Sequence, residues 1–225
     1  MRNKPVSWRL KRILVVNLFL GPKRRLSFNK LVARVKQAGG EVSISDYEIL
    51  PNLDSALLVK SYDGVVLSGT EALFTRTADR NRFGNLIQYL PKIEIPILGI
   101  CGGHQALAIA HGGVVAKVGR LIEGYRTVEL EDKDTLLAGL PAKIRVMQSH
   151  CEKVKSLPQK FIRIAKSKDT DNEAMKHEEK PVYGVQFHPE RWNEDNQAGK
   201  RILENFIEKI AQASFESSSI AKPVL

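Results

Sequence analysis

Ile97-Leu98-Gly99-Ile100-Cys101-Gly102-Gly103-His104-Gln105-Ala106-Leu107-Ala108-Ile109-Ala110 is the stretch that decides the fold. An apolar run of strand length enters Gly-x-Cys-x-Gly and leaves it directly in a helical run. A cysteine flanked in this way has the form of a nucleophile elbow, a sharp strand-to-helix turn. Glycines two residues before and after the apex let the chain turn without side-chain clashes. The apex side chain is thrust clear of the sheet at a helix N-terminus, where the dipole favours a thiolate. The N–H of Gly102 points at any oxyanion formed when the sulfur attacks a carbonyl. A cysteine taken alone is more often an inert buried side chain. The glycines at this junction make Cys101 the candidate nucleophile. Cys151 has no such surroundings and reads as structural. The spacings of Cys101, His104 and His111 fit no common zinc pattern, so no metal site is expected.

Outward from the elbow, apolar runs of strand length alternate with helical patterns. Arg12–Phe19 predicts a first buried strand, and Ser27 an N-cap. Phe28, Leu31, Val32 and Val35 then recur at helical spacing up to Gly39-Gly40. Glu41–Ser45 and Asp63–Leu67 predict two more strands, Asn81–Leu90 a helix stopped by Pro91, and Ile95–Ile100 a very apolar strand. Such alternation implies an α/β fold, an open and mostly parallel sheet flanked by helices. The second half changes character. Thr127–Glu131, Lys143–Met147, Phe161–Ala165, Glu173–Lys176 and Val182–Phe187 read as successive strands, and Ala198–Ala213 as a closing amphipathic helix.

The whole chain has 225 residues, enough for one well-buried domain. Its division is expected to be a basic N-terminal extension over 1–11, one domain over 12–213 and a flexible tail over 214–225. No apolar run approaches the ~20 residues of a membrane helix. Two cysteines make no disulfide framework, which points to a reducing, cytoplasmic setting. The net charge of +10 is uneven: residues 1–60 carry twelve Lys or Arg against four acids, and the remaining 165 carry 23 against 21. No nucleic-acid motif accompanies that charge, so a nucleic-acid partner is not expected.

A cysteine nucleophile needs a base, and His188 stands at the end of the apolar run Val182-Tyr183-Gly184-Val185-Gln186-Phe187. In extended chain, residues two apart share a side, so His188 and Glu190 can converge, with Pro189 stiffening the link. The imidazole would take the thiol proton and the carboxylate would fix its tautomer.

Gly99–Gln105 together with Gly184-Val185-Gln186-Phe187-His188-Pro189-Glu190 closely resembles the class I glutamine amidotransferase family, over roughly Ile13 to Ile210. The resemblance implies a triad of Cys101, His188 and Glu190 that attacks the side-chain amide of glutamine, releases ammonia and hydrolyses a γ-glutamyl thioester. It implies no cofactor. Gln105 matches a position that helps hold glutamine. Gln148-Ser149-His150, followed by Val154 and Leu157-Pro158, resembles the segment whose backbone binds the α-amino and carboxylate groups. Within the family, Met175-Lys176-His177 and Lys180-Pro181-Val182-Tyr183 look most like the glutaminase of GMP synthase.

One loop departs from the pattern. Where the family carries Gly-Gly-Pro after the third strand, this chain reads Ser68-Gly69-Thr70-Glu71. The oxyanion hole is thus expected from Gly69, Thr70 and Gly102. Thr tolerates positive φ poorly, which predicts a different backbone path and weak glutaminase turnover in the free chain. Few residues follow Ile210, and neither a phosphate-binding loop nor an ATP-pyrophosphatase loop is visible, so the resemblance implies a separate ATP-dependent synthase subunit. Lys23, Arg24 and Arg25, in the loop after the first strand, form a candidate docking face for it. The alternatives are the glutaminase of another synthase such as anthranilate synthase, a free-standing γ-glutamyl peptide or amide hydrolase with the same triad, and a non-enzymatic module.

Overall fold

The structure, a computed structural model, describes residues 9–21, 25–132 and 135–211. Most of the expected N-terminal extension, the tail over 214–225, and Lys23 and Arg24 of the basic loop lie outside the described residues.

In chain order the elements are β1 (Lys11–Asn17), α1 (Arg25–Gln37), β2 (Gly40–Asp46), α2 (Ser55–Ser61), β3 (Gly64–Leu67), α3 (Thr77–Arg82) and α4 (Gly84–Tyr89). They continue as β4 (Ile97–Ile100), α5 (Gly102–Ala110), β5 (Val114–Leu130), β6 (Lys143–Ser156), β7 (Phe161–Lys166), β8 (Ala174–His177), β9 (Val182–Val185) and α6 (Ala198–Asn205). The described strands form one sheet in the order β2-β1-β3-β4-β9-β8-β7-β5-β6. From β2 to β9 neighbouring strands are parallel, and from β9 to β6 they are antiparallel.

Inside the edge strand β2, the parallel strands β1, β3, β4 and β9 are buried on both faces, which is why they read as continuous apolar runs. Along β1, Ile13 and Val15 face one cluster with Phe28, Leu31 and Val35 of α1 and Ile202 and Leu203 of α6. Leu14 and Val16 face the other, with Leu58 of α2, Leu86 of α4 and Ala106 and Leu107 of α5. Each fully buried aliphatic side chain contributes about 1.5–3 kcal/mol by leaving water, so two such layers hold the sheet from either side.

Several local expectations shift. Ser27, expected as an N-cap, lies inside α1, whose buried face is Phe28, Leu31 and Val35. The single helix over Asn81–Leu90 is two, broken at Phe83. That ring is fully buried, 4.5 Å from Tyr47 and 5.4 Å from Phe74 between centroids, and the chain bends to place it there. α2 is absent from the sequence-based expectation, although its cap is plain: the Asp54 carboxylate accepts from Ala56 N at 2.7 Å and Leu57 N at 3.1 Å. Thr127–Glu131 is only the far end of a 17-residue strand, which pairs with the 14-residue β6. Gly119 and Gly124, at φ 89° and 88°, make that ribbon read as loop. Among the described residues, no helix is long and apolar enough to cross a membrane.

Candidate active site

β4 and β9 are neighbours in the parallel half, and the crevice beyond their carboxyl ends is where such sheets bind ligands. Cys101 follows β4 and turns into α5 at φ 51° and ψ −102°, a conformation that costs about 1–3 kcal/mol for a non-glycine residue. Its surroundings impose it. Cys101 N donates to Val185 O at 2.8 Å, and Gly103 N donates to Ser68 O at 3.1 Å, tying the turn to β9 and to the loop after β3. Gly99 and Gly103 cross so closely that a Cβ on Gly99 would lie 2.6 Å from the carbonyl carbon and oxygen of Gly103.

His188 follows β9, and its N–H donates to Met147 O at 2.8 Å, so β6 fixes its position. His188 Nδ1 lies 2.7 Å from Glu190 Oε1, both side chains being buried. The expected convergence is present, but not through extended chain. Pro189–Arg191 forms a short 3-10 turn, since the fixed φ of Pro189 suits the first position of such a turn. Tyr125 Oη donates to Arg191 O at 2.6 Å, and the Arg34 guanidinium of α1 sits 3.9 Å from the centre of the Trp192 ring, so the turn is held from both sides.

Cys101 is the second group that acts on the buried His188 ring. Burial alone would lower the imidazole pKa, but the charges of Glu190 and Cys101 override it and push His188 up to about 10. Burial likewise opposes ionisation of Glu190, and the adjacent His188 holds its carboxyl below the usual range. The set is a buried imidazolium between a carboxylate and a sulfur.

A cavity of about 180 Å³ opens beside Cys101, lined by Thr70, Gln105, Leu121, Ser149, His150 and Cys151 among others. That is small against the ~300–1,000 Å³ of drug-sized pockets and suits an amino-acid side chain. Ser149 O lies 4.0 Å from Cys101 Sγ. His150 Nδ1 is 2.8 Å from Glu152 O and must donate to it, which leaves Nε2 as a buried acceptor without a partner. Burial lowers the pKa of His150 to about 4, so the ring is neutral at pH 7. Gln148, grouped with these two in the sequence, turns away: its side chain is buried and donates to Glu173 Oε2 at 2.8 Å. Only its backbone could serve the cavity. Cys151 is half-buried and lines the same cavity as Cys101, closer to the chemistry than its sequence surroundings suggest.

The loop after β3 runs alongside. A Cβ on Gly102 would lie 2.8 Å from Thr70 N, so the loop packs directly against the start of α5. Gly69 is as close: its Cβ would meet His188 Cε1 at 3.2 Å and Cys101 Cβ at 3.7 Å. Neither Gly69 nor Thr70 has positive φ, so threonine is unstrained there, and the physical ground for expecting a disabled loop is absent. Thr70 Oγ1 instead accepts from Ala72 N at 3.1 Å, a local turn that stiffens the segment.

Two contributors escape a reading of the sequence. Gln186, inside the apolar run before His188, is fully buried and donates from Nε2 to Cys101 Sγ at 3.7 Å. Its signal is a lone amide in an apolar run, two residues before the histidine. Glu152 accepts from Phe74 N at 2.7 Å, Thr75 N at 3.1 Å and the Thr75 hydroxyl. Its partners are 77 and 78 residues away in sequence, which no local pattern reports. Among the described residues, no group of three or more His, Cys, Asp or Glu is arranged to hold a metal ion.

Comparison with known proteins points to one family. Residues 26–210 match the family described as glutamine amidotransferase class-I. A glutamine-hydrolysing GMP synthase subunit of Methanothermobacter thermautotrophicus is 43% identical over 164 residues, covering 71% of this chain and 82% of that protein. The protein of the same name from Methanosarcina acetivorans is 41% identical over 169 residues, covering 72% and 82%. A crystal structure from Thermoplasma acidophilum, of a protein described as a GMP synthase subunit, superposes with a TM-score of 0.78 at 27% identity, covering 94% of this chain and 98% of that one.

Proposed function

This chain belongs to the class I glutamine amidotransferase family, and from that premise we propose that it is the glutamine-hydrolysing subunit of a two-subunit GMP synthase. It hydrolyses the side-chain amide of glutamine and supplies the ammonia to a separate synthase subunit. In our reading that partner is ATP-dependent and aminates XMP.

The chemistry follows from the groups around the sulfur. Cys101 Sγ attacks the amide carbon of glutamine lying in the cavity, and the carbonyl oxygen becomes an oxyanion facing the N–H groups of Gly102 and Thr70. One preorganised donor of this kind is worth about 2.7–4 kcal/mol of barrier. His188, held protonated by its neighbours, gives its proton to the departing nitrogen, and the C–N bond breaks as ammonia leaves. The γ-glutamyl thioester remains on Cys101. Water attacks it as His188 takes a proton from that water; the C–S bond breaks and glutamate departs. Glu190 keeps Nδ1 protonated throughout, so Nε2 is the nitrogen that exchanges protons with the reactants. Gln105, Ser149 and His150 hold the α-amino and carboxylate end of the substrate.

The observation that carries the reading is the alignment of Cys101, His188 and Glu190 on adjacent strand ends beside a cavity of amino-acid size. The names of the relatives favour GMP synthase over the anthranilate synthase branch and over a free γ-glutamyl hydrolase. The test is nitrogen transfer: the chain is mixed with the ATP-pyrophosphatase subunit of its own host, XMP, ATP and glutamine labelled with ¹⁵N in the amide. Labelled GMP is the expected product. Label recovered only as free ammonia, with GMP formed from added ammonium alone, would refute the assignment to this synthase.

A further inference from the structure

We propose that Gln186 is a further catalytic residue, a neutral hydrogen-bond donor that stabilises the negative charge of the Cys101 sulfur and is oriented for this by Gln105. The inference rests on the reading of Cys101 as the nucleophile.

An amide side chain can present either its oxygen or its NH₂ to a neighbour, and the two are told apart only by the hydrogen bonds they make. Here the choice is forced from one end of a chain of contacts. Glu152 O is a backbone carbonyl and can only accept, so the Gln105 group 3.1 Å from it is the amide nitrogen, Nε2. That nitrogen also lies 3.2 Å from the Gln186 side chain, which must therefore turn its oxygen toward Gln105. The remaining end of the Gln186 amide is its NH₂, and it lies 3.7 Å from Cys101 Sγ. Flipping Gln186 would set two NH₂ groups against each other and an oxygen against the sulfur. The whole path is buried, Gln186 fully and Gln105 nearly so, which removes water as a competing donor and strengthens the contact. The backbone N–H of Gln186 donates to Glu173 O at 2.7 Å, so the residue is held at its main chain as well.

This gives the sulfur two supports of different kind. His188 supplies charge and a mobile proton. Gln186 supplies a donor that never transfers its proton, so it persists while His188 cycles between acid and base. Gln105 then has two duties, since its Nε2 is spent on Glu152 and Gln186 and only its oxygen is left for the cavity. The titratable groups facing the sulfur are His188, with Glu190 behind it, and Cys151, His150 and Glu152 from β6, with Glu71 on the loop after β3. Replacing Gln186 by leucine leaves all of them in place.

The test is the rate of Cys101 alkylation by iodoacetamide as a function of pH, followed peptide by peptide so that Cys151 is counted separately. Alkylation needs neither glutamine nor an oxyanion hole. In Gln186→Leu the profile should move to higher pH by about one unit, equivalent to about tenfold less reactive sulfur on its rising limb, as loss of one hydrogen bond to a charged group implies. In Gln186→Glu, which keeps the size but brings an acid, it should move further. Glutamine turnover should fall in kcat with KM little changed. A merely structural role would lower the melting temperature and leave the profile in place, and an unmoved profile in both variants would overturn the proposal. Should the variants not fold, the wild-type protein decides: the side-chain amide protons of Gln186 must shift in NMR spectra when Cys101 is alkylated, and unshifted signals would overturn it. A moved profile in a protein with no glutaminase activity would instead defeat the proposed function and leave the hydrogen bond standing.

Discussion

Glu152→Gln is the substitution that tests how the oxyanion loop is held. The Glu152 carboxylate lies on β6 and is nearly completely buried. It accepts from two consecutive backbone amides, Phe74 N at 2.7 Å and Thr75 N at 3.1 Å, and from the Thr75 hydroxyl, clamping the loop in which Thr70 packs against Gly102. Glutamine keeps the shape but replaces one acceptor oxygen by a donor. Whichever way the amide turns, an NH₂ group then faces an N–H that has lost its partner. Hydrogen bonds to a charged group are worth about 1.5–3 kcal/mol, and a buried donor left unsatisfied costs about 1–3 kcal/mol. A loop penalty of about 2–4 kcal/mol follows, enough to let the segment drift. A displacement of the order of 1 Å at a catalytic donor costs about 100-fold in rate. The expected result is therefore a fall of about 10- to 100-fold in kcat for glutamine hydrolysis, with KM changed less than about threefold, since only transition-state contacts are lost. Glu152→Asp should recover part of it. The assay is steady-state glutamate release with the synthase partner present, alongside circular dichroism to show the fold intact. A folded Glu152→Gln protein with wild-type kcat would show that the clamp has no bearing on catalysis.

Four further outcomes are expected. Cys101→Ala should abolish glutamine hydrolysis, His188→Asn should stop turnover, and Glu190→Gln should slow it less severely; Cys151→Ala should leave most of it, and steady-state glutaminase assays separate these cases. Gly99→Ala would place a Cβ 2.6 Å from the Gly103 carbonyl and from Leu107 Cδ1, an overpacking against backbone worth about 1–3 kcal/mol, so calorimetry should show the melting temperature down by roughly 2–12 °C. Burial pushes the Glu173 carboxyl up from 4.5 to about 7. The stability tied to that bound proton is complete below pH 4.5 and lost as pH rises through 7. Urea unfolding should therefore show a loss of about 3 kcal/mol between about pH 5 and 8 that Glu173→Gln abolishes, and equal pH dependence in the two proteins would contradict it. His188, raised to about 10, adds a loss of the same sign in the window between 6.5 and 10, which His188→Asn should remove.

The parallel half of the fold and the elbow are legible in the sequence because each depends on short-range pattern. Continuous apolar runs report strands buried on both faces, and the glycines around Cys101 report a turn that nothing larger could close. Spacing finds His188 and Glu190, although the turn at Pro189 joins them by a route that spacing alone does not give. What escapes is long-range. The extent of β5 and β6 depends on pairing with each other across an exposed ribbon, where glycines weaken the strand signal. Phe83 breaks a helix for the sake of a ring contact. The side chain of Gln148 turns into the core and Cys151 lines the cavity beside Cys101, placements that no local pattern around either residue reports. Gln186 and Glu152 act on atoms 85 and 78 residues away, and only the folded chain brings those pairs together.

Labelling with a glutamine-derived electrophile such as a diazo-ketone analogue, followed by peptide mass mapping, tests most directly that glutamine is opened at Cys101. One γ-glutamyl-like adduct on the peptide carrying Cys101, slowed by excess glutamine and absent in Cys101→Ala, is the predicted result. An adduct placed first on Cys151, or labelling that glutamine does not slow, would contradict the account.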